Sequence, residues 1–239
     1  MDRTLALGLL IALIGGLVRG TTGFGAAMVM TPALSVLIGP KTAVPVTLLL
    51  ETFAALPMLP AATRLAKWRV IAPISFAALL TVPLGGWLLA YAQASLLKTL
   101  IALTVIVFSL SLLSGFRYQG AQRTGTSLAL GALSGAMLGA TSIGAPPVIL
   151  YLLSGPDTAP VTRANLTLYV VAISAAGLAM LVAGGLLVAD TLRFAGWLAL
   201  PFAGGVVVGS RVFARFSDLR FRQFTMVFML LVAVGVLLS

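Results

Sequence analysis

Two charged side chains lie within apolar stretches of this sequence, where an ionisable residue is costly and usually has a function. Glu51 lies in the middle of one such stretch, and Arg163 lies near the start of another, two residues before Asn165. The carboxyl group of Glu51 has three candidate roles: proton coupling, neutralisation of a buried arginine, or a structural hydrogen bond. Arg163 has three as well. It could pair with Glu51, bind an anion together with the Asn165 amide, or extend to the membrane interface.

Glycine-rich breaks divide two other apolar stretches, at residues 20–23 and 140–143. Irregular backbone inside a membrane is tolerated only where protein or a water-filled cavity surrounds it. A helix that starts after such a break has free N–H groups and a positive dipole end, both of which favour an anion. Alternatively, the glycines only allow close helix packing, and we assign that role to Gly16, Gly20, Gly135 and Gly139.

We therefore predict a substrate site for a small anion at the two breaks, with Glu51 as the coupling residue. The predicted binding residues are Thr21, Thr22, Gly23, Phe24, Gly25, Thr141, Ser142, Ile143, Gly144, Arg163 and Asn165.

Enzymatic chemistry is not expected from this sequence. There is no histidine or cysteine, so Ser142 has no histidine to activate it, and it also lacks the G-x-S-x-G frame. The sequence has no P-loop and no cluster of metal ligands. We predict neither a cofactor nor a metal site.

The composition predicts a helical membrane protein. Of the 239 residues, 60% are hydrophobic and 8% are charged, whereas soluble domains carry about a quarter charged residues. The apolar stretches are too long for barrel strands. The net charge of +10 comes from residues between apolar stretches, as expected for cytoplasmic loops, and no nucleic-acid-binding motif accompanies it. Lipid is therefore the expected surrounding, and nucleic acid is not.

The predicted all-α fold is polytopic. Its apolar segments are 4–19, 24–38, 43–62, 69–90, 96–115, 127–139, 144–153, 160–186, 193–213 and 221–238.

An internal repeat divides the chain into residues 1–118 and 119–239. The first half contains Gly16-x3-Gly20-x4-Gly25-Ala26, Gly39-Pro40-x-Thr42-Ala43 and Pro45-Val46-Thr47, and the second half repeats them in order as Gly135-x3-Gly139-x4-Gly144-Ala145, Gly155-Pro156-x-Thr158-Ala159 and Pro160-Val161-Thr162. This alignment places Arg163 opposite Leu48, one helical turn from Glu51. We therefore interpret Arg163 as the natural ion-pair partner of Glu51.

Loop charges predict that the two halves are inverted. Basic residues concentrate in 64–69, 116–123 and 211–222, which the positive-inside rule assigns to the cytoplasm. Equivalent loops of the two halves then face opposite sides of the membrane. This requires an even number of crossings in each broken segment, either a re-entrant hairpin or two thin passes. We favour the hairpin, with both chain termini outside.

These motifs resemble the sulfite exporter TauE/SafE family, also described as toluene-sulfonate uptake permeases. The resemblance rests on both glycine-rich breaks, on Pro32, Pro146 and Pro147 after them, and on Pro201-x2-Gly204-Gly205-x3-Gly209-Ser210-Arg211. It implies transport of a small sulfur-containing anion, such as sulfite or an organosulfonate. We expect a secondary transporter in the cell (inner) membrane, coupled to protons or sodium and compatible with a homo-oligomer. The alternatives are a channel-like anion pore and a membrane protein without transport activity.

Overall fold

The computed structural model describes residues 3–115, 123–155 and 157–215, together with residues 227, 230, 231 and 233–235. Up to residue 215 the described chain forms α-helices, one short 3-10 helix at Leu56–Met58, and no strand. The α-helices are α1 (Arg3–Thr22), α2 (Ala26–Ile38), α3 (Pro40–Ala55), α4 (Leu59–Leu65), α5 (Trp68–Tyr91), α6 (Ala94–Leu113), α7 (Thr124–Thr141), α8 (Ala145–Leu153), α9 (Ala159–Ala183) and α10 (Ala189–Arg215).

Five of the described helices are long and apolar enough to cross a membrane: α1, α5, α6, α9 and α10. Large apolar side chains on them, such as Leu80, Trp87 and Leu200, are exposed. Exposed apolar side chains on such helices suit contact with lipid tails. The prediction of a polytopic all-helical membrane protein is confirmed.

The predicted segments differ from the observed helices in several places, and the short segment 127–139 extends at both ends to form the 18-residue helix α7. The first segment, predicted to be short, continues to Thr22 and forms a 20-residue helix of membrane-spanning length. The predicted segment 43–62 is divided into α3, the 3-10 helix and α4. Pro57 and Pro60 lie at this division, and a proline removes the N–H donor that a continuous helix needs. Most of the predicted segment 221–238, and all of the basic stretch at 116–123 except residue 123, lie outside the described residues.

The short helices after the breaks are the most deeply enclosed part of the fold. α2 buries nine of its 13 residues, and α8 buries six of its nine. The second break is surrounded by protein, which is the condition for irregular backbone at membrane depth, whereas the first break includes the exposed Gly23. Whether each broken segment is a re-entrant hairpin stays a prediction.

Glycines allow two pairs of long helices to approach closely. A Cβ atom on Gly20 would lie 2.7 Å from the amide nitrogen of Ser210 in α10, and one on Gly139 would lie 2.7 Å from that of Gly86 in α5. Gly16 and Gly135 meet the same two helices through backbone contacts that leave no room for a side chain. The packing role predicted for these four glycines is confirmed.

These contacts also join the two predicted halves. The first helix of one half, α1, packs on α10 of the other, and the first helix of the second half, α7, packs on α5 of the first. Such a reciprocal exchange is expected of two related halves. The repeat boundary near residue 118 and the inverted orientation stay predictions.

Candidate functional site

The first break is a tight turn between α1 and α2. Gly23 and Gly25 have φ angles of 80° and 89°, a left-handed conformation that glycine adopts without steric cost. Thr21 is buried, and its hydroxyl donates to the carbonyl oxygens of Leu17 and Val18 in its own helix. Gly23 is exposed and Phe24 is half-buried, so this break opens towards one side of the molecule.

A buried ion pair lies beside this break. The Nη1 atom of Arg19 is 3.4 Å from Oε2 of Glu51, and the two side chains are 9% and 13% exposed. The other carboxylate oxygen, Oε1, accepts a hydrogen bond of 3.0 Å from the backbone amide of Ala27. Glu51 therefore bridges the end of α1 and the start of α2. Its acceptor position at the N-terminus of α2 suits a negative charge.

The predicted pairing of Glu51 with Arg163 is wrong. Glu51 pairs with Arg19, which lies in the last turn of α1 directly before the break. The side chain of Arg163 is exposed, and no ion pair involves it within the described residues. The internal alignment compared Glu51 with α9 and gave no sign that α1 passes beside it.

The second break is more enclosed than the first. Thr141, Ser142, Ile143 and Gly144 are all buried. Ser142 has a φ angle of 58°, unusual for a residue other than glycine. The Thr141 hydroxyl accepts a hydrogen bond of 3.2 Å from the Ile143 amide. The break is further held by Ser134, whose hydroxyl donates to the Gly144 carbonyl oxygen and accepts from the hydroxyl of Tyr169.

The two breaks are connected through α2. The hydroxyl groups of Thr31 and Ser142 are 2.6 Å apart, and both residues are buried. Thr31 lies one helical turn after Ala27, which corresponds to about 6 Å along the helix axis. The hydroxyl of the second break and the ion pair of the first therefore contact neighbouring turns of the same short helix.

The described hydrogen bond of the Asn165 side chain lies away from both breaks. Asn165 is fully buried, and its Oδ1 atom accepts a hydrogen bond of 2.7 Å from the backbone amide of Lys67, at the start of α5. Its Nδ2 atom has no hydrogen-bond partner in the described part of the chain. Lys67 also forms an ion pair with Asp157. Asn165 thus joins α9 to the α4–α5 junction, and no described hydrogen bond connects it to either break.

The prediction from sequence missed several polar residues around the breaks. Arg19 was the most informative omission, because an arginine next to a break within an apolar segment is itself a sign of function. Thr31 faces the second break, and Ser35 and Thr47 are buried hydroxyls on α2 and α3. Serine and threonine are common in membrane helices, so these three carried no such sign.

Five helices of membrane-spanning length among the described residues define a multi-pass membrane protein, and buried hydroxyl groups connect its two helix breaks. The chain matches the family described as Sulfite exporter TauE/SafE over residues 8–236, and it belongs to that family. The family implies a membrane transporter of sulfite or related anions, and not an enzyme. No curated protein and no solved structure matched the chain.

Proposed function

We propose that this chain is a secondary transporter of a small sulfur-containing anion, such as sulfite or a sulfonate, in the cell (inner) membrane. Transport is driven by a proton or sodium gradient, and the anion binds between the two breaks. The observation that carries this proposal is the Thr31–Ser142 hydrogen bond, because it joins the second break to the helix that starts at the first.

The chemistry around this contact suits an oxyanion. Sulfite and sulfonate groups carry several oxygens on one sulfur and therefore need several hydrogen-bond donors together with a positive charge. The guanidinium of Arg19 supplies the charge, and the amide of Ala27 and the hydroxyls of Thr31 and Ser142 are donors within the same region. Arg19 takes the place that the sequence suggested for Arg163.

The two helix starts offer different numbers of backbone donors. α2 begins Ala26-Ala27-Met28, and each of these residues has an N–H group. α8 begins Ala145-Pro146-Pro147, and neither proline has one. We therefore expect the first break to supply the backbone amides and the second to supply the hydroxyl of Ser142.

Transport in proteoliposomes tests the function. Purified protein is reconstituted, and uptake of sulfite, thiosulfate and sulfoacetate is followed under an imposed pH gradient and, separately, a sodium gradient. We expect saturable uptake of at least one anion that accelerates with one gradient and with the same anion on the opposite side. Flux that neither saturates nor responds to counter-anion would indicate a channel-like pore. Absence of flux for all three anions would contradict the proposed substrate class.

Thr31→Val tests the site. Valine keeps nearly the same shape and removes the hydroxyl, so a lost hydrogen bond of about 0.5–1.5 kcal/mol should raise the half-saturation concentration about two- to tenfold. The matched control is Thr99→Val, because Thr99 is exposed on α6 and donates only to its own helix. Equal half-saturation concentrations for the two variants would place the anion elsewhere.

A further inference from the structure

Beside the first break, the groups proposed to bind the anion already contact a carboxylate of the chain itself, that of Glu51. One carboxylate oxygen of Glu51 lies 3.4 Å from the guanidinium of Arg19, and the other accepts from the Ala27 amide. A sulfite or sulfonate group presents the same arrangement, two oxygens on one atom. Glu51 and a substrate anion would therefore make equivalent contacts with the same two groups.

Two buried hydroxyls on α2 and α3 have no hydrogen-bond partner in the part of the chain that the structure describes. Ser35 Oγ and Thr47 Oγ1 are fully buried and form no hydrogen bond within the described residues. Thr47 precedes Glu51 by one turn of α3, Ser35 follows Thr31 by one turn of α2, and the two helices pack together. An unsatisfied buried hydroxyl is costly. Since a sulfur oxyanion has more oxygens than a carboxylate, one of them is left to accept from the Thr47 hydroxyl, one turn from Glu51. Ser35 lies about 12 Å from Ala27 along α2, too far to contact the same anion.

Charge explains why the two anions cannot bind together. Arg19 and an ionised Glu51 form a neutral buried pair. Adding a monovalent anion would leave a net negative charge inside the membrane, which is strongly unfavourable. If Glu51 takes up one proton as it releases Arg19, the site remains neutral with the substrate bound.

We propose that Glu51 is an internal competitor of the substrate for Arg19 and the Ala27 amide, and that its protonation admits the anion. This inference rests on the proposed transport function and specifies its coupling. One proton enters the site with each monovalent anion, and both leave together, so the chain is a proton–anion symporter. Neither Arg19 nor Glu51 is assigned this role by the family resemblance.

Arg19 is the charged side chain in contact with Glu51 within the described residues. The helices that pack on α3 add few others. α2 and α7 carry no charged residue. On α5, α6, α9 and α10, the described charged side chains are exposed, apart from the half-buried Lys98. The exposed ones are Arg69, Arg163, Asp190, Arg193 and Arg211. The pH dependence should therefore follow Glu51.

Binding of ethanesulfonate, which stays ionised at every pH used, provides the test. In the wild type, affinity measured by calorimetry should rise by up to about tenfold per unit of falling pH, as one-proton linkage requires. Glu51→Gln should bind at neutral pH as tightly as the wild type binds at acidic pH, without pH dependence. Arg19→Gln should weaken binding by at least about tenfold, whereas the exposed Arg69→Gln should not.

Several results would overturn the proposal. One is that Glu51→Gln keeps the pH dependence of the wild type. Another is that it binds ethanesulfonate more weakly than the wild type at every pH. If single variants do not fold because one charge is left unpaired, Arg19→Gln/Glu51→Gln removes both charges, and it should fold without binding ethanesulfonate. In wild-type proteoliposomes, a pH-sensitive dye should report one proton entering per anion. Anion uptake without protons would refute the competition while leaving the transport function intact, whereas no uptake at all would refute the transport function itself.

Discussion

The contact between α1 and α10 can be tested with two adjacent glycines of α10. Gly205 is buried against α1, where a Cβ atom would overlap the Leu13 carbonyl oxygen and lie 2.9 Å from the Leu17 amide nitrogen. Gly204 faces outward, and a Cβ atom there would meet nothing within 4 Å. Both substitutions, Gly204→Ala and Gly205→Ala, introduce the same methyl group into the same helix. The methyl group of Gly204→Ala meets no neighbouring atom, whereas that of Gly205→Ala meets the backbone of α1.

The two variants should differ in stability. Replacing a helical glycine with alanine favours the helix by about 1 kcal/mol, and this is the whole effect at Gly204. At Gly205 ordinary contact needs at least 3.4 Å, so the helices must separate, and such overpacking costs about 1–3 kcal/mol. Gly204→Ala should be slightly more stable than the wild type. Gly205→Ala should be about 1–3 kcal/mol less stable than Gly204→Ala.

Thermal unfolding in a mild detergent measures this difference. For a chain of this size 1 kcal/mol corresponds to about 2–4 °C in Tm, so the two variants should differ by several degrees. Because α1 carries Arg19, its displacement in Gly205→Ala should also lower the affinity for the anion. Equal Tm values would refute the close backbone contact, and with it the arrangement that places Arg19 beside Glu51.

Two further substitutions separate the roles of residues singled out from sequence. Asn165→Ala removes the acceptor of the Lys67 amide, so we expect the free energy of unfolding to fall by about 1–3 kcal/mol. A higher half-saturation concentration at unchanged stability would instead support anion binding by Asn165. Arg163→Ala removes an exposed charge, and surface substitutions are usually within about 0.5 kcal/mol. Because no described contact joins the Arg163 side chain to either break, the half-saturation concentration for sulfite should also change less than about twofold, and a tenfold increase would restore Arg163 to the site.

The helical membrane architecture was predictable because the bilayer constrains composition and segment length so strongly. The approximate positions of the two breaks were predictable for a related reason, since glycine and hydroxyl residues interrupt otherwise apolar segments there. The breaks predicted at 20–23 and 140–143 begin too early, because α1 continues to Thr22 and α7 to Thr141. The packing of Gly16 and Gly20 on α10 agrees with their small-residue spacing, although the sequence did not identify the partner helix. Local composition was therefore enough to predict most of the fold.

The partner of Glu51 was not predictable in the same way. The alignment of the halves compares Glu51 with positions on α9, and it led to Arg163. The observed partner is on α1, more than thirty residues earlier in the sequence, and α1 reaches Glu51 only through the turn at Gly23 and Gly25. That contact depends on how the chain folds back after the break, which no periodicity in a single sequence encodes.

The two breaks follow the same predicted repeat motif, but their chemistry differs. The first has an arginine directly before it, N–H groups after it, and a carboxylate bound between them. The second has two prolines in place of amide donors, is fully buried, and offers a hydroxyl. A site with a positive charge on both sides would hold an anion too firmly to release it, whereas a charge on one side and a neutral donor on the other allows exchange. If Glu51 competes with the anion for Arg19, the first break both binds the anion and responds to the proton. The second break then only has to supply the remaining hydrogen-bond donor. This division requires only one carboxylate at the site, and Glu51 is the carboxylate that lies there among the described residues.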